Sequence, residues 1–337
     1  MIGDKTGIRL FAPFGRRFVW SQAVIVTLLA VAMFVLFSIT LDGFATPGNL
    51  ITLVRSVAVL GILGIGMAAV IIGRGIDLSM VPVMAVTVSI LFVLAGKGIP
   101  MPLALLAATV SALLLGALNG FLIAFVEIPA LFTTLASGSI IFGIGQYFIF
   151  PNLTVTAPAT IGWLTDLGAG RMLGIPVSII LFLALIIIIH LLLRYTHKGR
   201  FLFAMGDNPL AARAGGVPVR PLIIVQYALV ALLAFFAGLI MATAVGEMNT
   251  RIVYSNLPYN IILVAVIGGV GLSGGKGGMH NVLVGTLLIG VLGNGMTIMD
   301  LTTTTQTIIQ SLVLLLAIII DGILNPRDEQ MSQQGDI

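Results

Sequence analysis

Residues 51–73 read ITLVRSVAVLGILGIGMAAVIIG. Arg55, close to the start, is the run's sole charge. The hydrocarbon core of a bilayer is about 30 Å thick and takes roughly 20 apolar residues of helix to cross. This run is long enough, and 21–41, 103–126, 177–193 and 222–245 are similar. Helices on the surface of a water-soluble protein place charged residues opposite their apolar stripe, and most of these runs have none to place. The chain therefore belongs in lipid, and its function is one that a membrane-embedded protein can perform.

Composition narrows the function further. Charged residues make up 8% of the 337, against about 25% in soluble domains, and the mean hydropathy is +1.18. No polar stretch is long enough for a separate soluble catalytic domain. There is no cysteine, which removes disulfides, thiolate nucleophiles and cysteine-ligated metals. His190, His197 and His280 are too scattered for a histidine-based metal centre. The net charge of +4 is read as a topology signal at helix ends and not as a nucleic-acid surface. Lys5, Arg9, Arg16 and Arg17 precede an apolar run, as in a signal peptide, but that run is too long and lacks a small-x-small cleavage site, so it reads as a retained first helix.

The expected fold is all-α and polytopic, with ten elements at 21–41, 51–73, 78–95, 101–126, 130–150, 177–193, 222–245, 259–271, 279–299 and 305–320. Residues 1–20 and 324–337 are tails around a transmembrane domain at 21–323, and 197–221 is an inner loop. With the N-terminus inside and the elements alternating, 12 of the 16 Lys and Arg fall inside, including Arg74, Arg194, Lys198, Arg200, Arg213, Arg220, Lys276 and Arg327. Lys97, Arg171, Arg251 and Arg55 fall at the other side. That bias predicts an N-in, C-in topology. Gly-rich breaks after the second and eighth elements hint at an internal repeat, although the halves do not align by eye.

Several polar residues stand out against this background. In Gly73-Arg74-Gly75-Ile76-Asp77-Leu78-Ser79 the glycines permit a sharp turn. Asp77 or Ser79 can then cap the next helix or form part of a gate. Arg55 either snorkels to the outer headgroups or faces a wet cavity. Asn119 and Asn294 lie beside glycines inside apolar helices, where an amide serves as glue between helices more often than as a solute contact. Thr133 and Thr134 follow Ile128-Pro129 and either back-bond to their own helix or face a path. Leu272-Ser273-Gly274-Gly275-Lys276-Gly277 is not a phosphate-binding loop, since Val270 and Gly277 stand where that motif needs Gly and Ser or Thr. In the inner loop, Asn208 can N-cap a short helix, Pro209 suits its first position, and Gly215 or Gly216 can stop it. The helix is built of small residues, which favours close docking against another body.

With Gly66-Met67, Asn119-Gly120, Thr134-Leu135, Gly268-Gly269 and Asn294-Gly295 in this order, residues 51–323 resemble the permease subunits of ribose-type bacterial ABC importers. Arg74 stands where that family usually has glycine, and Met80-Val81-Pro82, Ala68 and Ala136 also depart from its pattern. The resemblance implies a non-enzymatic translocation subunit of the bacterial inner membrane. It also implies ATP bound by a separate, tandem-domain ATPase with no cofactor in this chain, a periplasmic sugar-binding protein and a second permease chain. Asn208, Ala211, Ala212, Arg213 and Gly216 would meet the ATPase. A path for a neutral sugar needs amides, hydroxyls and aromatic rings. Asn119, Thr133, Thr134, Gln146, Tyr147, Asn294 and Gln306 are candidates, and Arg55, Asp77 and Ser79 candidate gate residues. Glu247 and Arg251 could touch the binding protein. The alternatives are the same class carrying branched-chain amino acids or nucleosides, an ion-coupled secondary transporter, or an intramembrane enzyme. A secondary transporter keeps carboxylates near the midplane, whereas Glu127, Asp300 and Asp321 sit near helix ends. The sequence offers no catalytic set for an enzyme.

Overall fold

In lipid a chain must satisfy its backbone N–H and C=O groups internally, so the apolar runs become helices. The computed structural model describes residues 22–324. Lys5, Arg9, Arg16, Arg17 and Arg327 of the expected tails lie outside them. The first half contains α1 (Gln22–Thr40), α2 (Pro47–Ile72), α3 (Met80–Gly96), α4 (Met101–Ala124) and α5 (Ala130–Phe148). A crossover segment follows, with β1 (Thr154–Thr156), a 3₁₀ turn at Ala159–Leu164, α6 (Thr165–Gly168), β2 (Arg171–Met172) and β3 (Ile175–Pro176). Then come α7 (Val177–Tyr195), α8 (His197–Asp207), α9 (Pro209–Ala214) and α10 (Val219–Val245). After β4 (Glu247–Asn249) and a 3₁₀ turn at Thr250–Tyr254, α11 (Leu257–Gly268), α12 (Met279–Ile298) and α13 (Thr303–Leu324) complete the described chain.

Every apolar stretch expected to be helical is helical. Seven of these helices are long and apolar enough to cross a membrane, while Met80–Gly96, Leu257–Gly268 and Thr303–Ile319 are shorter apolar pieces. The 12 residues of α11 reach only about 18 Å at 1.5 Å per residue. Two short antiparallel ladders accompany the helices. β1 pairs with β4, antiparallel, and β2 pairs with β3. The first ladder ties the crossover segment to the segment after α10, and Thr250 strengthens it by donating its N–H and its hydroxyl to the Leu153 carbonyl, each at 2.8 Å.

The core is built around α2. Its apolar window is 78% buried, against 11% for α1 and α7, which lie at the periphery. Close approach depends on small residues. Ala104, Ala108, Ala112, Gly116, Gly120 and Ala124 recur every fourth position of α4 and are all buried. A Cβ added at Gly116 would lie 2.4 Å from the Tyr227 carbonyl oxygen, and one at Gly120 would lie 2.5 Å from Ile224 Cα. With little hydrophobic drive between helices in lipid, such backbone contact supplies the packing.

The bundle has two ends. At one, Gln22 donates to the Val266 and Ile267 carbonyls, and Gly275 N–H donates to the Ile72 carbonyl at 2.9 Å. Gly206 of α8 presses on that same carbonyl. This is the α9 end. The far end holds both β ladders and a reciprocal amide pair, Asn49 with Asn294, at 2.9 Å in each direction.

The two Gly-rich breaks stop their helices in the same way. After α2, Gly75 N–H bonds the Val70 carbonyl and Arg74 N–H bonds that of Ile71, with Arg74 at φ +72°. After α11, Val270 N–H bonds the Ala265 carbonyl and Gly269 N–H bonds that of Val266, with Gly269 at φ +105°. Both are Schellman caps with a left-handed residue at their centre. Ile72-Gly73-Arg74 and Ile267-Gly268-Gly269 thus occupy equivalent places, and this cap ends α11 at Gly268 although the apolar pattern runs on to residue 271.

Candidate functional site

Past the α2 cap the chain turns back into the bundle and carries polar residues with it. Asp77 is 2% exposed and Ser79 1%. Burying a carboxylate is costly unless hydrogen bonds compensate. Asp77 Oδ1 accepts from Ser79 N–H at 2.8 Å and from Ser79 Oγ at 2.6 Å. Asn119 Nδ2 of α4 donates to Ser79 Oγ at 2.8 Å. Thr134 Oγ of α5 accepts from Leu78 N–H at 3.1 Å and donates back to the Ala130 carbonyl at 2.9 Å. Gly138, one turn along α5, leaves room for Ser79. From α10, Gln226 donates to the Ala69 carbonyl at 2.9 Å and packs on Gly73, while the Tyr227 hydroxyl abuts Gly75.

Four helices therefore converge on one turn. Neither side chain caps α3: Ser79, at its N-cap, donates its hydroxyl to Asp77, whose carboxylate instead braces the turn before the helix through Ser79 N–H. Asn119 acts as glue between α4 and that turn, and Thr134 both back-bonds and holds it. Sequence reasoning missed Gln226 and Tyr227, which had no glycine or proline neighbour to mark them. Asn119 Oδ1, Gln226 Oε1 and Tyr227 Oη are buried here without a hydrogen-bond partner. A group left so costs about 1–3 kcal/mol.

The other path candidates do not join this cluster. Thr133 Oγ donates to the Ile128 carbonyl at 3.3 Å. At the far end Arg55 is half-buried, and its Nη2 donates to the Ala169 carbonyl at 2.9 Å, tying α2 to the turn after α6. Asn294 is bound to Asn49, and Gln306 Nε2 to the Leu301 carbonyl at 2.9 Å. Gln146 is half-buried, and Tyr147 is 80% exposed with its ring edge-on to Phe148. The ten candidates thus line no single cavity within one chain. Glu247 lies half-buried in β4, and Arg251 is exposed in the 3₁₀ turn after it.

α9 is short and held at both ends. Asn208 Oδ1 accepts from Ala211 N–H at 2.9 Å, Pro209 opens the helix, and Gly216 closes it at φ +83°. Ala211, Arg213 and Gly216 face outward. Ala212 differs from these, with its methyl buried against the bundle. Behind α9, Cβ atoms added at Gly274 and Gly275 would meet Gly206 and Asp207. The base of α9 is therefore wedged against the turns that follow α2 and α11.

Glu127 pairs with Arg220 at 2.7 Å, linking the α4–α5 turn to the start of α10. Both side chains are more than a third exposed, and such pairs contribute about 0.2–1 kcal/mol. No group of His, Cys, Asp and Glu among the described residues could hold a metal ion.

A helical bundle with several membrane-length helices, a buried polar turn and a small capped helix at one end defines a polytopic membrane protein. The family of branched-chain amino acid transport system permease components matches residues 49–318, and the chain belongs to that family. It is 30% identical over 321 residues to the ribose import permease protein of Escherichia coli K12, covering 91% of this chain and 97% of that protein. Against the ribose import permease protein of Bacillus subtilis 168 the figure is 30% over 287 residues, 85% of this chain and 88% of that one. Against the L-arabinose transport system permease protein of E. coli K12 it is 33% over 313 residues, with 91% and 92% covered. No solved structure matches.

Proposed function

We propose that the chain is the translocating subunit of an ATP-binding-cassette importer for a monosaccharide, working in the bacterial inner membrane. The observation that carries this is the near-full-length similarity to ribose and arabinose permeases, joined to a small outward helix braced on both inner turns. In this reading ten elements cross or enter the bilayer with both termini inside. The α9 end faces the cytoplasm, and ATP is bound by a separate ATPase and not by this chain. Ala211, Arg213 and Gly216 contact that ATPase, while Asn208 holds α9 in shape.

Motion of α9 passes through Gly206-Asp207 to the Ile72 carbonyl and Gly275, and so to the Asp77–Ser79 turn. Re-pairing among Ser79, Asn119 and Tyr227 lets the turn shift as an inner gate. A second permease chain completes the path, with α5 presenting Gln146 and Tyr147 toward it. A periplasmic binding protein delivers the sugar to the far end, where the β1–β4 ladder sets Glu247 and Arg251 for contact.

The family description also raises branched-chain amino acids. Relatives named for their solute carry ribose and arabinose, and neutral sugar is favoured on that ground. The experiment is uptake of labelled ribose, arabinose and leucine into vesicles holding the permease, with and without its ATPase and binding protein. Sugar uptake that requires ATP and the ATPase is expected. Equal transport by the permease alone would overturn the reading.

A further inference from the structure

At the α9 end a cleft of about 230 Å³ opens where α7, α8 and the start of α12 meet. His190, Arg194 and His280 line it, with Phe203 and the Gly277-Gly278 backbone, and no acidic side chain among the described residues does. The one ion pair among the described residues is Arg220 with Glu127, so Arg194 brings its charge to the cleft uncompensated. The positive end of the α12 dipole adds to the same field.

The face of α12 that starts in this cleft continues into a second hollow. His280, Val284, Leu287 and Val291 follow one another at helical spacing on one side of α12. The last three line an apolar groove of about 180 Å³ against Ala30, Val31 and Phe34 of α1. Thr27, also in the groove, spends its hydroxyl on the Ala23 carbonyl at 2.7 Å. From His280 to Leu287 the helix rises about 10 Å, within one leaflet of a core about 30 Å thick. α7 beside the cleft turns Ile187, Ile188 and Leu191 outward, so the cleft opens toward the bilayer and not into the bundle.

We propose that this face of α12 binds one anionic phospholipid, with its phosphate among His190, Arg194 and His280 and an acyl chain in the α1–α12 groove. A basic pocket between helices at the membrane interface is the chemistry that recognises such headgroups. A choline headgroup would bring a second cation into a cleft that already carries positive charge. The proposal rests on the membrane setting and on the α9 end lying at an interface. It does not depend on which solute is carried.

The test is thermal unfolding of the purified full chain in detergent, with dioleoylphosphatidylglycerol, dioleoylphosphatidylcholine or inorganic phosphate added. A ligand that binds the folded state raises the melting temperature. Phosphatidylglycerol should raise it by several degrees over phosphatidylcholine, and inorganic phosphate should not. An Arg194→Gln/His280→Gln double variant should lose that difference, while Lys97→Gln at the far end keeps it. Leu287→Trp, which fills the groove, should lose most of it and decides the matter if the double variant cannot be purified. Equal shifts with both lipids, a full shift from phosphate alone, or a difference that survives in both cleft and groove variants would overturn the site. Failure of the importer reading would appear in ATP-dependent uptake, which this measurement does not touch.

Discussion

Arg74 holds a left-handed backbone at φ +72°, where a Cβ costs roughly 1–2 kcal/mol. That is a physical reason for the glycine usual here in the resembled family. Arg74→Gly removes the strain and gives back about 0.4–1 kcal/mol of chain entropy to the unfolded state. The relief of strain outweighs the entropy, so the variant should melt higher, by roughly 1–3 °C for a chain of this size. A lower melting temperature would mean that the arginine side chain contributes more than its backbone costs. Gly206 and Gly216 make a sharper pair. A Cβ at Gly206 would lie 1.8 Å from the Ile72 carbonyl oxygen, whereas at Gly216 the space is open and only φ +83° opposes it. Gly206→Ala should therefore lower the melting temperature well beyond Gly216→Ala and reduce uptake, because the Gly275–Ile72 hydrogen bond is displaced. Equal losses would mean that crowding between α8 and the two turns is relieved at little cost. Single residues were only partly legible. Asp77, Ser79, Asn119 and Thr134 could be singled out because each is polar in an apolar run, but their convergence required the fold. Gln226 and Tyr227 lay in a run that reads as plain membrane helix.

At the scale of elements the helices were the legible part, since length and apolarity fix them when no water is available to the backbone. Which helix lies at the centre was not. α2 and α7 read alike, yet α2 is enclosed and α7 peripheral, and the difference lies in surface shape and not in hydropathy. Gly61 of α2, for example, leaves the space that the Phe182 ring of α7 fills. The four-residue stripe of α4 was available in the sequence but is silent about its partner until α10 is seen against it. The β ladders at the far end were illegible, because two or three paired residues leave no periodic pattern. α9 is the reverse case, with Asn208, Pro209 and Gly216 announcing a capped helix directly. Its two faces give a prediction. Ala211→Trp on the outer face should leave the melting temperature of the isolated chain near its starting value and abolish ATP-dependent uptake. Ala212→Trp on the inner face should lower the melting temperature itself, because overpacking costs about 1–3 kcal/mol. If Ala211→Trp transports normally, the outer face of α9 is not where the ATPase docks.

For the molecule as a whole, orientation is the property from which every assignment of sides follows, and the chain offers a clean way to measure it. It contains no cysteine, so each introduced thiol is the only one present. Ala211 lies on the outer face of α9, and Leu173 is 95% exposed at the tip between β2 and β3, at the opposite end of the bundle. The basic residues in the connections of the α9 end, Arg194, Lys198, Arg200, Arg213, Arg220 and Lys276, outnumber Lys97, Arg171 and Arg251 beyond the far one, which is the bias the positive-inside rule requires if α9 lies in the cytoplasm as proposed. In intact cells with a permeable outer membrane, Leu173→Cys should react with a membrane-impermeant maleimide. Ala211→Cys should react only after the inner membrane is opened. The reverse pattern would place α9 beyond the reach of any cytoplasmic ATPase and remove the basis for energy coupling through it. Labelling of both sites from outside would mean that the two ends of the bundle do not lie on opposite sides of the membrane. α7 and α10, which join those ends, would then not span it, although their apolar lengths of 19 and 27 residues are sufficient.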